Sequence, residues 1–183
     1  MLEKEIKILE INKDELIKKL EDLWAIKTFD WVIHDVYYDF PEWKDGMKME
    51  DNQRMFRVRK KWEEHIYTIK RKRKYINDKE WVSAKDEHET SITNIESFSK
   101  VLEKYGMKKT RQKIKHRISY KLDGMEFDID KYENIPAILE IEGNNWDSIR
   151  SWVKKLWLKK YKQMLWGSRK LFKYYWEDYL NFD

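Results

Sequence analysis

The sequence predicts an α+β fold, a closed eight-stranded antiparallel β-barrel with a charged interior and helices packed outside. Three observations lead to this prediction. About six segments alternate charged and apolar residues, and alternate side chains of a strand share one face. Three or four amphipathic helices carry apolar stripes that need a surface to cover. Because the helices would cover the apolar face of the strands, the charged face points inward. About eight strands suffice to close a barrel around one small ligand.

Composition narrows the class of protein. The chain has 183 residues, of which 41% are hydrophobic and 40% charged, so it is too apolar for a disordered protein and too polar for a membrane protein. It contains no cysteine, and no apolar run approaches the roughly 20 residues that span a bilayer. The net charge of +5 favours anionic ligands. We therefore expect one cytoplasmic domain over residues 1–183, with no secretory leader and no membrane partner.

The first strand shows the alternation that defines the others. It places Glu3, Glu5 and Lys7 on one face and apolar residues on the other. Asp123-Gly124 is typical of a hairpin turn between two later strands. The predicted strands, in order, are Leu2–Leu9, Trp31–Phe40, Met55–Arg59, His65–Arg73, Trp81–Thr90, Lys113–Leu122, Met125–Asp130 and Ala137–Gly143.

Capping residues mark the predicted helices. Asn12 with Glu15 begins the first helix, and Thr93 with Glu96 begins the second, which Gly106 ends. A polar loop follows the second strand over residues 42–51. The predicted helices are Lys13–Ala25, Asn94–Tyr105, Trp146–Leu158 and Ser168–Leu180.

The charged faces are sorted by sign along the chain. The acids lie on strands one, seven and eight, namely Glu3, Glu5, Asp128, Asp130, Glu140 and Glu142. The bases lie on strands three, four and six, namely Arg57, Arg59, Lys70, Lys115 and Arg117. A hard divalent cation would satisfy the acids, and a polyphosphate would satisfy the bases. The competing prediction is an open sheet with a solvated charged face, which would mix the signs at random.

The motifs resemble those of the CYTH, or triphosphate tunnel metalloenzyme, superfamily. Glu3-x-Glu5-x-Lys7 is similar to its N-terminal ExExK signature. Seven further motifs follow in the family's order, with Lys85 where the family has Arg: Asp35-x-Tyr37-Tyr38-Asp39, Arg57-x-Arg59, Thr68-x-Lys70, Lys85-x-Glu87-x-Glu89, Lys115-x-Arg117, Asp128-x-Asp130 and Glu140-x-Glu142. The resemblance covers residues 2–143, and Ser168-Arg169-Lys170-Leu171 departs from the Ser-Tyr pattern of cyclase-like members.

The resemblance implies an eight-stranded tunnel that binds a triphosphate, such as ATP or another polyphosphate, together with Mg²⁺ or Mn²⁺. By match to the family's motifs, the metal ligands would be Glu3, Glu5, Asp128, Glu140 and Glu142. The phosphate ligands would be Lys7, Arg57, Arg59, Lys70, Lys115 and Arg117. The family includes class IV adenylate cyclases, thiamine triphosphatases, inorganic triphosphatases and RNA triphosphatases.

Three functions stay open at this point, and the overall layout, including the Tyr37-Tyr38 strand, resembles the cyclase-like members slightly more closely. A cyclase would direct the ribose 3′-oxygen at the α-phosphorus of ATP, releasing cAMP and pyrophosphate. A triphosphatase would direct water at the terminal phosphorus of tripolyphosphate, thiamine triphosphate or a nucleotide or RNA 5′-triphosphate. In either enzyme Glu5 or Glu142 would accept a proton or orient the nucleophile. The third function is a non-catalytic binder of nucleotides or RNA ends, which has no need of the acidic set.

Other features indicate structure rather than a site. The four histidines lack the spacing of metal ligands, and the basic run Lys70–Lys74 is typical of a partly solvated strand end. Nucleic acid is therefore not expected as a partner, except for RNA 5′ ends. The late tryptophans Trp152, Trp157, Trp166 and Trp176 favour helix packing or a homodimer contact over base stacking.

Overall fold

The computed structural model describes residues 4–40, 54–77, 80–165, 167–176 and 180–181, with side chains except at 54, 70–77, 80–86, 169 and 180–181. Within these ranges it is an α+β fold with antiparallel strands, as predicted. The strands are β1 (Lys4–Ile8), β2 (Ile26–Asp39), β3 (Arg54–Lys61), β4 (Glu64–Asn77), β5 (Glu80–Ser91), β6 (Lys108–Leu122), β7 (Met125–Lys131), β8 (Ile138–Gly143), β9 (Gln163–Met164) and β10 (Leu180–Asn181). The helices are α1 (Lys13–Asp22), α2 (Ile95–Lys104), α3 (Trp146–Lys155) and α4 (Ser168–Tyr174).

The helix boundaries correct the sequence prediction at four places, the first of which is α1, which ends at Asp22 rather than at Ala25. The cap of α2 is Asn94, not Thr93, because the Asn94 side chain accepts a hydrogen bond from the Ser97 amide at 2.7 Å. The helix predicted over 146–158 ends at Lys155, and Trp157 then takes a left-handed conformation before a short 3₁₀ turn, Leu158–Lys160. The helix predicted from Ser168 ends at Tyr174, just before a second left-handed tryptophan, Trp176.

The predicted cap of the first helix and the predicted hairpin turn are both confirmed. Asn12 caps α1 by accepting a hydrogen bond from the Glu15 amide at 3.1 Å. Asp123 and Gly124 both have positive φ, as a two-residue hairpin turn requires, and they connect β6 to β7. The predicted loop over 42–51 lies outside the described residues.

The chain divides into two compact units, each with its own part of the sheet. The first unit is Met1–Val32 with Lys115–Glu177. Its strands follow the order β2, β6, β7, β8, β1, β9, where β2 and β6 contribute the portions that belong to this unit. In the pairing of β7 with β8, Asp128 lies opposite Glu140. In the pairing of β8 with β1, Glu140 lies opposite Lys7.

Helices α1 and α3 cover the apolar face of the first unit's strands. Strand residues such as Phe127 and Ile141 are fully buried in one cluster with Leu20 of α1 and Trp152 of α3. The rings of Phe127 and Trp152 meet edge to face, with centroids 5.2 Å apart. Since neighbouring residues of a strand point to opposite faces, this packing leaves Asp128 and its charged neighbours on the face away from the helices.

The second unit, Ile33–Ile114 with Asp178–Asp183, repeats this division of faces. Its strands follow the order β5, β4, β3, β2, β6, and β10 pairs with β6. Its core joins Tyr38, Phe56 and Val58 of the strands to Leu102 of α2 and to Met107. Tyr37 and Arg57, which alternate with these core residues, lie on the opposite, charged face.

The closed barrel is not confirmed. The strand order runs along nine strands, with β10 added at β6, and the sheet is not closed in the part of the chain that the structure describes. No helix within the described ranges is both long enough and apolar enough to cross a membrane.

We predict that Leu20→Ala lowers the free energy of unfolding by about 2–5 kcal/mol, because the side chain is fully buried between α1 and the strands and its loss leaves a cavity. Urea denaturation followed by circular dichroism measures the change. Lys18→Ala, on the exposed side of the same helix, is the matched control and is expected to have little effect. Equal stability of the two variants would contradict this account of the core.

Candidate active site

The strand alternation buries charged side chains on the face opposite to the one that α1 and α3 cover. On β7, Asp128 and Asp130 alternate with Phe127 and Ile129, and all four are buried. Buried charges are costly unless they are paired, so the contacts of this face decide whether the fold tolerates it. The first unit and the second unit each hold such a set of contacts.

Arg117 is the centre of the charged face in the first unit. Its guanidinium contacts Asp130 through Nε and Nη2, both at 2.6 Å, and Glu140 through Nη2 at 2.8 Å. Nη1 also donates to Asp128. Burial by itself lowers the pKa of Arg117, but Asp130, Glu140 and Asp128 reverse that effect and hold the pKa well above its usual value. Arg117 therefore stays charged and joins β6 to β7 and β8.

Two lysines complete this network from either side. Lys115 Nζ contacts Asp130 Oδ2 at 2.5 Å, and Lys7 Nζ contacts Glu140 Oε1 at 2.9 Å and Glu5 Oε1 at 3.2 Å. Burial raises the pKa of Glu140, but Lys7, Arg117 and Lys115 outweigh it and hold that pKa well below the usual range. Glu140 is thus ionised and shared between two cations.

Asp128, Glu140 and Glu142 form an acidic trio. One oxygen from each carboxylate lies within 4.8 Å of the others. Burial and the neighbouring charges of Glu140, Glu5 and Asp128 raise the pKa of Glu142 to about 8. Carboxylate oxygens are the ligands that Mg²⁺ and Mn²⁺ prefer, and a cation would relieve the repulsion that raises this pKa. The residues present therefore fit a hard divalent cation.

The second unit repeats the pattern of a buried aspartate that holds an arginine and a lysine. Asp35 is fully buried and accepts from Arg59 Nε at 2.6 Å and Nη2 at 3.1 Å, and Lys113 Nζ lies 3.3 Å away. Burial raises the pKa of Asp35, but Arg59 and Lys113 prevail and hold the pKa well below the usual value. Asp35 is therefore a fixed anion that orients two cations.

Arg57 is held by a second set of partners in the same unit. Its Nη2 contacts Thr68 Oγ1 at 3.0 Å, Glu89 Oε1 at 3.0 Å and Glu87 Oε1 at 3.2 Å. Its Nε is buried and has no hydrogen-bond partner among the described residues. A buried N–H without a partner costs free energy, so Arg57 retains a donor that an anion would satisfy.

The structure gathers most of the predicted site residues, though in two groups. The first unit brings together Glu5, Lys7, Lys115, Arg117, Asp128, Glu140 and Glu142. The second unit holds Arg57 and Arg59. Glu3 and the side chain of Lys70 lie outside the described residues. The sorting of charge by strand does not persist in space, because each unit pairs its bases with acids.

Two aspartates fix the basic side chains of the two units. Asp35 and Asp130 stood in the predicted motifs, and Asp130 in the predicted acidic set, but neither was predicted as a metal or phosphate ligand. Each is fully buried and contacts one arginine and one lysine. Ser119 was not predicted as a ligand either, and its Oγ donates to Asp128 Oδ1 at 2.5 Å. The signal was present, since all three lie on the charged face of a strand, but the sequence does not give the cross-strand register.

The chain belongs to the CYTH domain family, whose sequence model matches residues 1–171. This match confirms the resemblance seen in the motifs. No protein of curated function matches the chain.

Solved structures share the fold at low sequence identity. A "putative adenylate cyclase" of Vibrio parahaemolyticus superposes with a TM-score of 0.69 at 14% identity, covering 94% of this chain and 98% of its own. A "putative adenylyl cyclase" of Hippeastrum, reported to have a dominant triphosphatase activity, gives 0.66 at 14%, covering 95% and 96%. The PH1012 protein of Pyrococcus horikoshii OT3 gives 0.66 at 21%, covering 87% and 94%.

We predict that Asp130→Asn destabilises the protein by about 3–5 kcal/mol, because it removes the buried carboxylate that contacts both Lys115 and Arg117. Urea denaturation at neutral pH measures the loss. Asp123→Asn makes the same chemical change in an exposed hairpin turn and serves as the control. A loss below about 1 kcal/mol for Asp130→Asn would show that these ion pairs contribute little.

We predict that Glu142→Gln stabilises the protein at alkaline pH in EDTA. The raised pKa means that folded Glu142 stays neutral while the unfolded group ionises, so wild-type stability declines as pH rises from about 4.5 towards 8. The variant lacks this decline and should be roughly 2–4 kcal/mol more stable at pH 9, with no difference at pH 4. Denaturation curves across pH test this, with exposed Glu133→Gln as control. Parallel pH profiles of wild type and variant would refute it.

Proposed function

We propose that the protein is a metal-dependent enzyme that acts on triphosphates and mainly hydrolyses the terminal phosphate. The observation that carries the proposal is the acidic trio, with carboxylate oxygens within 4.8 Å, beside the buried cations Lys7 and Arg117. Membership of the CYTH family supports the class of enzyme. An anion binder would need the cations but not the trio.

Asp128, Glu140 and Glu142 would hold Mg²⁺ or Mn²⁺, with Glu5 beside them on β1 and Glu3 as a further predicted ligand. Bound there, such a cation would supply Lewis-acid stabilisation of the phosphate oxygens. The trio's charge is only partly balanced by Arg117 and Lys7, which supports a role in cation binding.

The basic side chains would bind the phosphates. Lys7 has three N–H donors and contacts two carboxylates, so it can donate to a phosphate oxygen as well. Arg117 and Lys115 are held in place by Asp130, which reduces the entropy they would lose on binding a ligand. Arg57, with its unsatisfied Nε, and Arg59 are phosphate ligands by family resemblance. Lys70 has the same proposed role.

We favour hydrolysis over cyclisation because the described side chains of the site are charged groups, which bind phosphates and a cation. They can hold a triphosphate and a cation, and Glu142 or Glu5 would orient water or accept its proton. The Hippeastrum protein, which has a similar fold and a dominant triphosphatase activity, supports this choice.

Cyclisation of ATP is the second candidate, and the Vibrio parahaemolyticus protein named as a putative adenylate cyclase favours it. In that reaction the same carboxylates would orient the ribose 3′-oxygen or accept its proton, and pyrophosphate would be the leaving group. The closed barrel, a homodimer and a cytoplasmic location remain predictions from the sequence alone.

Product analysis tests the proposed reaction. We expect orthophosphate release from tripolyphosphate, thiamine triphosphate or ATP with Mg²⁺ or Mn²⁺, and none in EDTA. Formation of cAMP and pyrophosphate from ATP would replace hydrolysis with cyclisation. Metal-dependent binding of every substrate without turnover would make the protein a binder.

We predict that Glu140→Gln combined with Glu142→Gln lowers kcat at least about 100-fold, because it removes two of the three carboxylates of the trio. Calorimetric titration with Mn²⁺ should show weaker metal binding by the same variant. Glu133→Gln, which alters an exposed carboxylate outside the trio, is the control. Turnover that survives the double substitution would refute the metal assignment.

A further inference from the structure

Positive charge is concentrated in residues 148–176, which we call the basic segment. This stretch contains no aspartate or glutamate, whereas acids outnumber lysines and arginines in the rest of the chain. Seven of its nine basic residues are lysines. The nine are Arg150, Lys154, Lys155, Lys159, Lys160, Lys162, Arg169, Lys170 and Lys173. Such asymmetry indicates an anionic partner at this part of the surface.

Large apolar side chains are exposed among these lysines. Trp157 is 76% exposed, Trp176 is 94% exposed and Leu165 is 44% exposed. All seven lysines of the segment are exposed as well. Trp157 lies between Lys155 and Lys159 in the sequence, so an exposed apolar side chain is flanked by exposed cationic ones.

The two tryptophans lie at positions where the backbone favours glycine. Trp157 has φ of 60° and Trp176 has φ of 58°, both in the left-handed region, each just past the end of a helix. A bulky residue there costs about 1 kcal/mol relative to glycine. Trp24 and Trp62 are left-handed and exposed as well, so it is their position among lysines, not their backbone, that distinguishes Trp157 and Trp176.

Cation–π contacts hold several of the lysines against aromatic rings. Lys155 Nζ lies 4.1 Å from the centroid of the Trp152 ring, and Lys162 Nζ lies 4.0 Å from that of Tyr174. The second contact links the strand β9 region to α4 within the first unit. The ordered lysines present a fixed cationic surface rather than a set of free side chains.

Acids at the border of the segment and on neighbouring elements balance part of this charge, since Arg150 Nη1 lies 3.6 Å from Asp147 Oδ1. Glu15 of α1 interacts with Lys160 but makes its ion pair with Lys19, at 2.6 Å. Glu10 accepts a hydrogen bond from Tyr175 at 3.1 Å.

We propose that the basic segment docks the protein on an anionic lipid surface, with Trp157, Trp176 and Leu165 entering the headgroup region and the lysines contacting lipid phosphates. Tryptophan and lysine are the residues that membrane interfaces favour, and lysines bind diffuse surface charge. An exposed leucine and a predominance of lysine over arginine favour lipid over nucleic acid, where aromatic stacking and arginine forks dominate. The sequence contains no apolar run long enough to span a bilayer, and the proposed contact is peripheral. It does not depend on the proposed enzyme activity.

Vesicle flotation with the full chain in EDTA tests the proposal. We expect at least tenfold more protein on phosphatidylcholine vesicles that contain about 30% phosphatidylglycerol than on pure phosphatidylcholine, and loss of binding at about 0.5 M NaCl. Lys159→Gln with Lys160→Gln should weaken binding about 25-fold, at about fivefold per lysine. Trp157→Gly should weaken it roughly tenfold.

The matched control is Trp24→Gly, because Trp24 is also left-handed, with φ of 61°, and 88% exposed, but follows α1 outside the basic segment. Glycine suits both positions, so both variants are expected to fold, and circular dichroism verifies this. Equal binding to neutral vesicles, or equal effects of the two tryptophan variants, would overturn the proposal. So would binding to a single-stranded oligonucleotide but not to vesicles, or a dimer in light scattering that Trp157→Gly dissociates.

Discussion

The contact between Arg117 and Asp130 is the interaction on which the charged face of the first unit depends. Asp130 is fully buried and accepts two hydrogen bonds from Arg117 and one from Lys115. Without this pairing, the strands would carry uncompensated charge on the face opposite to α1 and α3. Arg117 extends the network to Glu140, and Glu140 extends it to Lys7, so four neighbouring strands are linked by side chains as well as by their backbones.

A strand face made of buried ion pairs does not give the protein the highest stability. Replacing buried ion pairs with apolar residues of similar volume is often neutral or stabilising. The fold nevertheless places its apolar core on the helix side, where Leu20, Phe127 and Trp152 pack together. This division lets one face supply stability while the other holds charges in fixed positions. Preorganised charge of that kind is the main resource of enzymes that act on phosphates.

The two units pair their buried charges in the same way. In each, a buried aspartate orients one arginine and one lysine, Asp35 with Arg59 and Lys113 in one and Asp130 with its own pair in the other. The acidic trio is found in the first unit among the described residues. The chain belongs to the CYTH family. It shares its fold with the Vibrio and Hippeastrum proteins, each at 14% identity.

The sequence by itself determined the alternating strands and the family, because period-two alternation and short motifs are local. It placed Glu142 and Arg117 on the charged faces of their strands, and it located Asn12 as a cap. Tertiary structure decided the rest. Asp130 became a partner of Arg117 only through the register of β6 against β7, and the helix before Trp157 stopped where its periodicity would have continued. Register and chain reversal depend on contacts between residues distant in sequence, which no local pattern encodes.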